Sequence, residues 1–175
     1  MATIALTGGA SGIGAALSEQ LRHDNHTVIN VDIRDADAIA DLATNKGRNA
    51  ALSEITARAP DGLDGFVPLA GLGAGTSHPA TLITALNYFG AVSLVEGLRP
   101  VLAKKSGSVV LLCSNSAPMS SSKDLLLDPL LDGDETAALK IAEQETGMEY
   151  MAGKRALAYW MRKNSFDYAR AGIRI

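Results

Sequence analysis

The chain contains 175 residues, of which 47% are hydrophobic and 20% are charged, a composition that fits one globular domain and excludes disordered and fibrous proteins. Its net charge of −3, with no basic block and only 5% aromatic residues, argues against nucleic-acid binding by phosphate neutralisation and base stacking. The first residues lack the basic segment of a signal peptide, and no apolar run reaches the roughly 18 residues of a membrane span. We therefore expect a cytoplasmic protein with neither nucleic-acid nor membrane partners.

The first 32 residues predict a strand, a glycine loop, a helix and a second strand. An apolar run at 2–6 leads into the loop at 8–14, and apolar residues at three- and four-residue steps over 13–21 indicate a helix packed on a sheet. After a turn at 23–26, the chain returns as a strand over 28–31 that closes at Asp32.

The glycine loop is typical of a phosphate-binding site. Gly8, Gly12 and Gly14 lack a Cβ, so backbone N–H groups can approach a pyrophosphate closely, and Ser11 adds a hydroxyl donor. The spacing is Gly-x-x-x-Gly-x-Gly and differs from the commonest dinucleotide fingerprint. A glycine-rich turn without a ligand is the alternative interpretation.

Asp32 favours the nucleotide interpretation. It follows Gly14 by 18 residues and ends the second strand, where an acid can accept hydrogen bonds from the adenosine ribose. A 2′-phosphate there would meet a like charge, which costs about 4 kcal/mol at ~4 Å and an effective dielectric near 20. We therefore predict NAD over NADP. Arg34 is the counter-argument because it can pair with a 2′-phosphate, and its alternative interpretation is a solvated surface arginine.

The middle of the chain continues the alternation of strands and helices. We expect a short strand at 38–42, a helix that ends near Arg58, a buried strand at 63–69 and a second glycine loop at 70–75. In a doubly wound sheet the ligand lies outside the carboxyl ends of the strands, which is where this second loop falls.

A long helix and another strand follow. The apolar stripe from Leu82 to Val95 predicts the helix, and Asn87 stands one step from that stripe, as a solvated asparagine or as a site residue. Residues 108–113 predict a strand buried on both faces, with Cys113 as a core residue at its end. Strands alternating with helices predict an α/β fold with a parallel sheet.

Residues 117–149 interrupt this rhythm with a long insertion. Such a connection is either a functional element, such as a substrate lid, or a mobile surface insertion. The leucine-rich run at 125–131 is a candidate lining for an apolar substrate pocket or a subunit contact, and Asp134 is expected near the cap of the helix that follows.

The last predicted helix runs from Tyr150 to about Ala171 and carries a Tyr-x-x-x-Lys pair. Tyr150 and Lys154 are four residues apart and project from one face. A nearby ammonium stabilises phenolate, which lowers a tyrosine pKa from about 10 toward working pH and suits the residue for general acid or base catalysis. The pair alone is common by chance.

Across nearly its whole length the sequence resembles the classical short-chain dehydrogenase/reductase family. Residues 7–14 resemble the cofactor loop of that family, Asp32 its NAD-selecting acid, and Asp41-Leu42 the pair that brackets the adenine. Ala70-Gly71 matches the second half of the Asn-Asn-Ala-Gly signature, whereas Pro68-Leu69 replaces the two asparagines that usually brace the central strand.

The family resemblance also implies a catalytic tetrad of Asn87, Ser114, Tyr150 and Lys154, with Ser114 fitting its position better than Ser116. In that arrangement Tyr150 exchanges the substrate proton and Ser114 polarises the substrate oxygen. Lys154 lowers the tyrosine pKa and binds the nicotinamide ribose, and Asn87 kinks its helix and keeps a water in the proton relay.

Residues 31–36, 70–73 and 87–90, together with the insertion before Tyr150, resemble the bacterial 3α-hydroxysteroid dehydrogenase/carbonyl reductase subgroup most closely. This resemblance implies a Rossmann-type doubly wound parallel sheet and an NAD-dependent oxidoreductase that interconverts a secondary alcohol and a ketone. A hydroxysteroid or another apolar carbonyl compound is the implied substrate. The implied cofactor-binding residues are Gly8, Ser11, Gly12, Ile13, Gly14, Asp32, Ile33, Asp41, Leu42, Ala70, Gly71, Leu72, Tyr150 and Lys154.

We treat residues 1–175 as a single NAD-binding domain and, from the resemblance, expect a homodimer or homotetramer. The three histidines lack metal-ligand spacing, so no metal site is predicted. Residues 172–175 resemble the start of a further framework strand, so we expect a longer protein whose C-terminal strand or strands and substrate-covering helices are missing here. The alternative functions are a non-catalytic dinucleotide-binding sensor or scaffold and an NADPH-dependent biosynthetic reductase.

Overall fold

The computed structural model describes residues 1–120, 125–144 and 147–175. Within these ranges, one parallel sheet has the strand order β3-β2-β1-β4-β5. Its strands are β1 (Thr3–Thr7), β2 (Thr27–Asp32), β3 (Ala38–Ile39), β4 (Gly65–Pro68) and β5 (Ser108–Val109). Because the strand order reverses direction between β1 and β4, the sheet is doubly wound, which confirms the predicted Rossmann-type α/β fold.

Helices connect the strands and pack on the sheet. They are α1 (Gly12–His23), α2 (Asn45–Arg58), α3 (Ala80–Thr84), α4 (Ala91–Gly97), α5 (Arg99–Ala103), α6 (Leu127–Asp132), α7 (Glu135–Gln144) and α8 (Glu149–Arg170). A π-helical turn, Ala85–Gly90, joins α3 to α4, and a 3₁₀ turn spans Ala117–Met119. No helix in the described parts of the chain is long and apolar enough to cross a bilayer.

The core lies where the central strands meet the helices. Leu6 on β1, Val31 on β2 and Phe66 on β4 are completely buried, as are Leu94 and Leu98 at the end of the long helical segment. Apolar residues fill consecutive strand positions because helices cover both faces of a parallel sheet. The predicted strands and helices of the first 70 residues are confirmed within a few residues at each end.

β5 is much shorter than the predicted strand at 108–113. Val110 N donates to Phe66 O at 3.1 Å, and by strand alternation Pro68 faces the same neighbour but has no N–H to donate. Pairing therefore ends, and Val110 and Leu112 are 58% and 40% exposed. Cys113 is also exposed, so its prediction as a core residue was wrong.

The described part of the 117–149 insertion is packed against the rest of the chain. Leu126, Leu127 and Leu130 are buried in the core, where α6 packs on α8 and α7 packs on α3. Packing of this kind differs from a mobile surface insertion. Leu130 and Leu131 also line a second cavity of about 240 Å³, so the leucine-rich run does line a cavity, and its role toward a substrate stays a prediction. Residues 121–124 and 145–146 of the predicted insertion lie outside the described residues.

The last residues run beside β5. Val109 N donates to Arg174 O at 2.7 Å, and Arg174 N donates to Gly107 O at 3.1 Å. Ser108 and Arg174 form a parallel bridge. The predicted strand-like character of 172–175 is therefore confirmed at this one bridge.

Candidate active site

A cavity of about 390 Å³ lies outside the carboxyl ends of β1, β2 and β4, at the point where the strand order reverses. Fourteen predicted site residues line it: Gly8, Ser11, Gly12, Ile13, Gly14, Asp32, Ile33, Leu42, Ala70, Gly71, Leu72, Asn87, Tyr150 and Lys154. Asp41 and Ser114 are the two predicted residues that are absent from its wall. The structure thus brings the glycine loop and the Tyr-Lys pair to one cavity.

The glycine loop is tightly packed on one side and open on the other. A Cβ on Gly14 would lie 2.1 Å from Gly8 O, and a Cβ on Gly8 would lie 2.7 Å from Ala70 Cα. Gly12, by contrast, has a φ of +55° and nothing within 4 Å of the place where its Cβ would be. The loop therefore leaves open space beside Gly12 at the N-terminus of α1, where first-turn N–H groups lack intrahelical acceptors.

Asp32 joins the loop to the end of β2. One carboxylate oxygen accepts from Ala10 N at 2.9 Å and the other from Ile33 N at 2.7 Å. Each oxygen keeps a further lone pair, so the carboxylate can still accept hydrogen bonds from ribose hydroxyls. Arg34 also lines the cavity, beside Asp32.

The predicted Asp41-Leu42 pair is split between two environments. Leu42 is buried and lines the cavity, together with Ala40, which sequence reasoning missed. The carboxylate of Asp41 instead accepts from Ala43 N at 3.0 Å in its own turn. An apolar wall of this kind suits an adenine ring, and it comes from Leu42 and Ala40.

Asn87 is buried, which overturns its interpretation as a solvated helix residue. It is 5% exposed and lies in the π-helical turn. Its Oδ1 accepts from Leu72 N and its Nδ2 donates to Leu72 O, both at 2.8 Å. Thr7 Oγ1 accepts from Ala70 N at 3.0 Å, so Thr7 and Asn87 brace the loop after β4, where the family signature has asparagines.

Tyr150 and Lys154 lie together on α8, beside the segment that follows β5, whereas Asp32 ends β2, which β1 and β4 separate from β5; the two groups therefore lie at opposite ends of the cavity. The Lys154 Nζ is 5.9 Å from the centre of the Tyr150 ring and donates to Leu112 O at 2.6 Å. Burial lowers the pKa of Lys154, and nearby Cys113 partly opposes this shift. The bond to Leu112 ties the ammonium to the segment that follows β5.

Ser114 lies outside the cavity wall and is hydrogen-bonded to Ser116. Its Oγ lies 2.9 Å from the Oγ of Ser116 and accepts from Ser116 N at 3.2 Å. The two hydroxyls are hydrogen-bonded to each other, so the preference for Ser114 over Ser116 stays a prediction.

Several lining residues were missed by sequence reasoning. They are Ala10, Ala40, Leu69, Gly73, Leu86 and Leu112. They are small or apolar and carry no chemical signature, although Ala10 lies inside the glycine loop, Leu69 precedes the second loop and Gly73 lies within it. Together with the open side of Gly12 and the two remaining acceptor positions of Asp32, this lining fits a dinucleotide.

Comparisons with known proteins show which proteins this chain is similar to. The chain is 36% identical over 181 aligned residues to the 3-alpha-hydroxysteroid dehydrogenase/carbonyl reductase of Comamonas testosteroni, and the match covers all of this chain and 70% of that protein. It is 35% identical over 113 residues to a coniferyl-alcohol dehydrogenase of Pseudomonas sp. (strain HR199 / DSM 7063), covering 61% of this chain and 42% of that one. No protein-family model matches the sequence.

A solved structure gives the same answer for the fold. The 3-alpha-hydroxysteroid dehydrogenase from Pseudomonas sp. B-0831, crystallised with NADH, superposes with a TM-score of 0.93 at 39% identity. That superposition covers 98% of this chain and 69% of the other. The chain therefore belongs to the short-chain dehydrogenase/reductase family, a family of oxidoreductases that bind NAD(H).

Proposed function

We propose that this chain uses NAD to interconvert a secondary alcohol and a ketone, with Tyr150 as its general acid and base. The observation that carries the proposal is the single cavity that Asp32 and the glycine loop line at one end and Tyr150 and Lys154 line at the other. The NADH complex of the similar Pseudomonas protein supports the cofactor, and Asp32 supports NAD over NADP. When bound, the cofactor supplies or accepts the hydride.

Tyr150 and Lys154 supply the proton chemistry in this proposal. In ketone reduction the Tyr150 hydroxyl donates its proton to the substrate oxygen, and in alcohol oxidation the phenolate takes that proton back. The Lys154 ammonium stabilises the phenolate from the same helical face, held by its bond to Leu112 O at 2.6 Å. Because burial lowers the pKa of Lys154, this ammonium releases its own proton more readily than an exposed lysine does.

Ser114 and Asn87 have supporting roles. The Ser114 hydroxyl polarises the substrate oxygen, for which it exchanges its hydrogen bond with Ser116 for one with the substrate. Asn87 holds both backbone polar groups of Leu72, so it fixes a part of the cavity wall. Its place in a π-helical turn supports the predicted kink, because such turns are a common cause of helix kinks. The water relay at Asn87 stays a prediction.

The substrate we propose is an apolar ketone or secondary alcohol, with hydroxysteroids as the first candidates. The similar proteins from Comamonas testosteroni and Pseudomonas sp. B-0831 are named for 3-alpha-hydroxysteroids, which supports this class. Leu112 adds an apolar, 40% exposed side chain beside Tyr150 and Lys154 in the cavity wall.

The decisive test is NADH oxidation by the purified protein with a panel of apolar ketones, paired with NADH binding followed by fluorescence. We expect turnover by the natural chain and a loss of at least about 10²-fold in the Tyr150→Phe variant, because the proton donor is gone. NADH affinity should be unchanged in that variant. Tyr159→Phe, an exposed tyrosine on the same helix, is the matched control and should keep full turnover.

Two other functions remain as outcomes of these measurements. A non-catalytic sensor or scaffold would bind NADH with no turnover on any ketone, and Tyr150→Phe would alter nothing. Arg34 in the cavity wall is the observation that favours an NADPH-dependent reductase. Equal affinities for NADH and NADPH would overturn our cofactor assignment.

We further propose that residues 1–175 form one NAD-binding domain of a cytoplasmic homodimer or homotetramer. The single sheet formed by the described residues supports the first part. Light scattering on the purified protein tests the oligomeric state, and a monomer at all concentrations would contradict it.

A further inference from the structure

β2 carries a buried polar side chain that neither the motif nor the proposed mechanism uses. Asn30 is 3% exposed and stands between the buried residues Ile29 and Val31. Burying a carboxamide among apolar side chains costs free energy unless the group is hydrogen-bonded. Its position two residues before Asp32 puts both side chains on the same face of the strand.

The Asn30 side chain reaches the glycine loop. Its Oδ1 accepts from Gly9 N at 3.0 Å. The neighbouring loop amides also end on β2, because Gly8 N donates to Val31 O and Ala10 N to Asp32 Oδ2, both at 2.9 Å. Three consecutive loop N–H groups are thus fixed to three consecutive residues of one strand, and Asn30 holds the central one.

The fit between Asn30 and the loop is close. A Cβ on Gly9 would lie 2.1 Å from Asn30 Oδ1 and 2.3 Å from its Cγ. Gly9 is therefore needed for space, since the carboxamide occupies the place of any side chain there. The glycine and the asparagine belong to one structural unit, although they lie 21 residues apart.

These bonds divide the loop amides into two groups. The N–H groups of Gly8, Gly9 and Ala10 are engaged with β2, so they are not available to an anion. The first turn of α1 begins at Gly12, where N–H groups have no intrahelical acceptor and where the space beside the Gly12 Cα is open. A pyrophosphate must therefore be bound by this second group, whose direction depends on how the first group is held.

We propose that Asn30 is a positioning residue for the cofactor loop: by holding Gly9 N it directs the first turn of α1 at the cofactor pyrophosphate. The proposal relies on the NAD-binding function given above. Asn30 suits this role because it is a neutral acceptor, whereas a carboxylate would add a second negative charge beside Asp32 and the phosphates.

The test uses Asn30→Leu, which keeps the size of the side chain and removes the acceptor. We expect NADH affinity to fall about tenfold, as for one lost hydrogen bond near 1.4 kcal/mol, while kcat at saturating NADH changes less than about twofold. In the cofactor-free protein, hydrogen exchange measured by NMR should show faster exchange at Gly9 N. If Asn30 has only a structural role, Asn30→Leu should lower the melting temperature and leave both NADH affinity and kcat unchanged.

Thr84→Val is the matched control, because Thr84 Oγ1 is buried and has no hydrogen-bond partner among the described residues. It should alter neither NADH affinity nor Gly9 exchange.

If Asn30→Leu does not fold, a second variant provides the test. Asn30→Asp retains an acceptor and should keep Gly9 N protected from exchange, and an unprotected Gly9 N in that variant overturns the proposal. If the natural protein binds NADH and the Asn30→Leu variant binds it with equal affinity, this inference alone is overturned. Natural protein that binds no NADH overturns the proposed function as well.

Discussion

The two ends of the cavity are built in different ways. At the dinucleotide end, the loop after β1 is bonded to adjacent β2 through Val31, Asn30 and Asp32, all within the first 32 residues. At the other end, which we propose to be the catalytic end, Tyr150 and Lys154 come from α8, and Lys154 donates to Leu112 O in the segment that follows β5. The first end is a local βαβ unit, whereas the second depends on the docking of distant segments.

The glycine loop should give the largest effect, because it is closely packed at Gly14. In Gly14→Ala the new Cβ would lie 2.1 Å from Gly8 O, so we expect no detectable NADH binding by fluorescence titration. Gly153→Ala is the matched control on α8, where nothing lies within 4 Å of the new Cβ. That change should leave NADH affinity intact and raise stability by about 0.5–1 kcal/mol. An NADH-binding Gly14→Ala protein would show that the loop is not closely packed.

This contrast explains how much could be predicted from sequence. The β1 to β2 unit was predictable because glycine spacing, helical periodicity and Asp32 all lie within one short segment. The role of Asn30 was not, because an asparagine inside an apolar strand acquires meaning only when Gly9 is beside it. In the same way Asn87 stands near the apolar stripe of its helix, but its burial depends on Leu72 in another loop.

The catalytic end was harder to predict for the same physical reason. Residues 108–113 have the composition of a buried strand, yet Pro68 on the neighbouring strand ends the pairing after Val109. Because the proline that ends the pairing lies in β4, the apolar pattern of residues 108–113 does not indicate where β5 ends. Tyr150 and Lys154 were predictable because four-residue spacing on a helix fixes a common face, whereas Ser114 depends on how the chain continues beyond β5.

The next test concerns the insertion, whose helices α6 and α7 pack on α8 and α3, because α8 carries Tyr150 and Lys154. Arg48 on α2 is 3% exposed and forms an ion pair with Glu135 on α7, with a shortest N–O distance of 2.7 Å. Glu135→Ala would leave a buried, unpaired cation, which we expect to cost about 3–5 kcal/mol in the free energy of urea unfolding. Glu54→Ala breaks the exposed pair with Arg58 on the same helix, α2, and should cost less than about 1 kcal/mol. Equal losses for the two variants would mean that α7 is not held by this pair.

Cofactor choice tests the dinucleotide end on a smaller scale. Replacing Asp32 with serine removes the charge opposed to a 2′-phosphate, and Arg34 in the cavity wall can then pair with it. We expect the ratio of NADPH to NADH affinity to rise by about 10²-fold, equivalent to ~3 kcal/mol. Asp41→Ser is the matched control, because its carboxylate is bonded to Ala43 N and lies outside the cavity wall, and the ratio should not change. An unchanged ratio in Asp32→Ser would remove Asp32 as the selecting group.

The smallest effect compares two tyrosines within α8 itself. Tyr150 lines the cavity, whereas Tyr168 is buried near the other end of the helix and donates to Val95 O at 3.3 Å. Burial, with a smaller contribution from Glu96, raises the pKa of Tyr168 to about 12, while Arg99 opposes the shift. In the unfolded chain a tyrosine titrates near 10. The stability that neutral Tyr168 provides is therefore complete below about pH 10 and is lost as the pH rises through 12.

Tyr168→Phe should cost about 0.5–1.5 kcal/mol in urea unfolding at pH 7, because one hydrogen bond is lost. At pH 11 the natural protein loses part of its stability through ionisation of Tyr168 in the unfolded state, and the variant does not, so the difference between them should shrink. Burial also raises the pKa of Tyr88, which both proteins share, so that contribution cancels in the comparison. A difference that stays constant from pH 7 to 11 would mean that Tyr168 titrates alike in the folded and unfolded chains. In that case Tyr168 would not be buried in solution, and its bond to Val95 O would not hold this end of α8 against the rest of the fold.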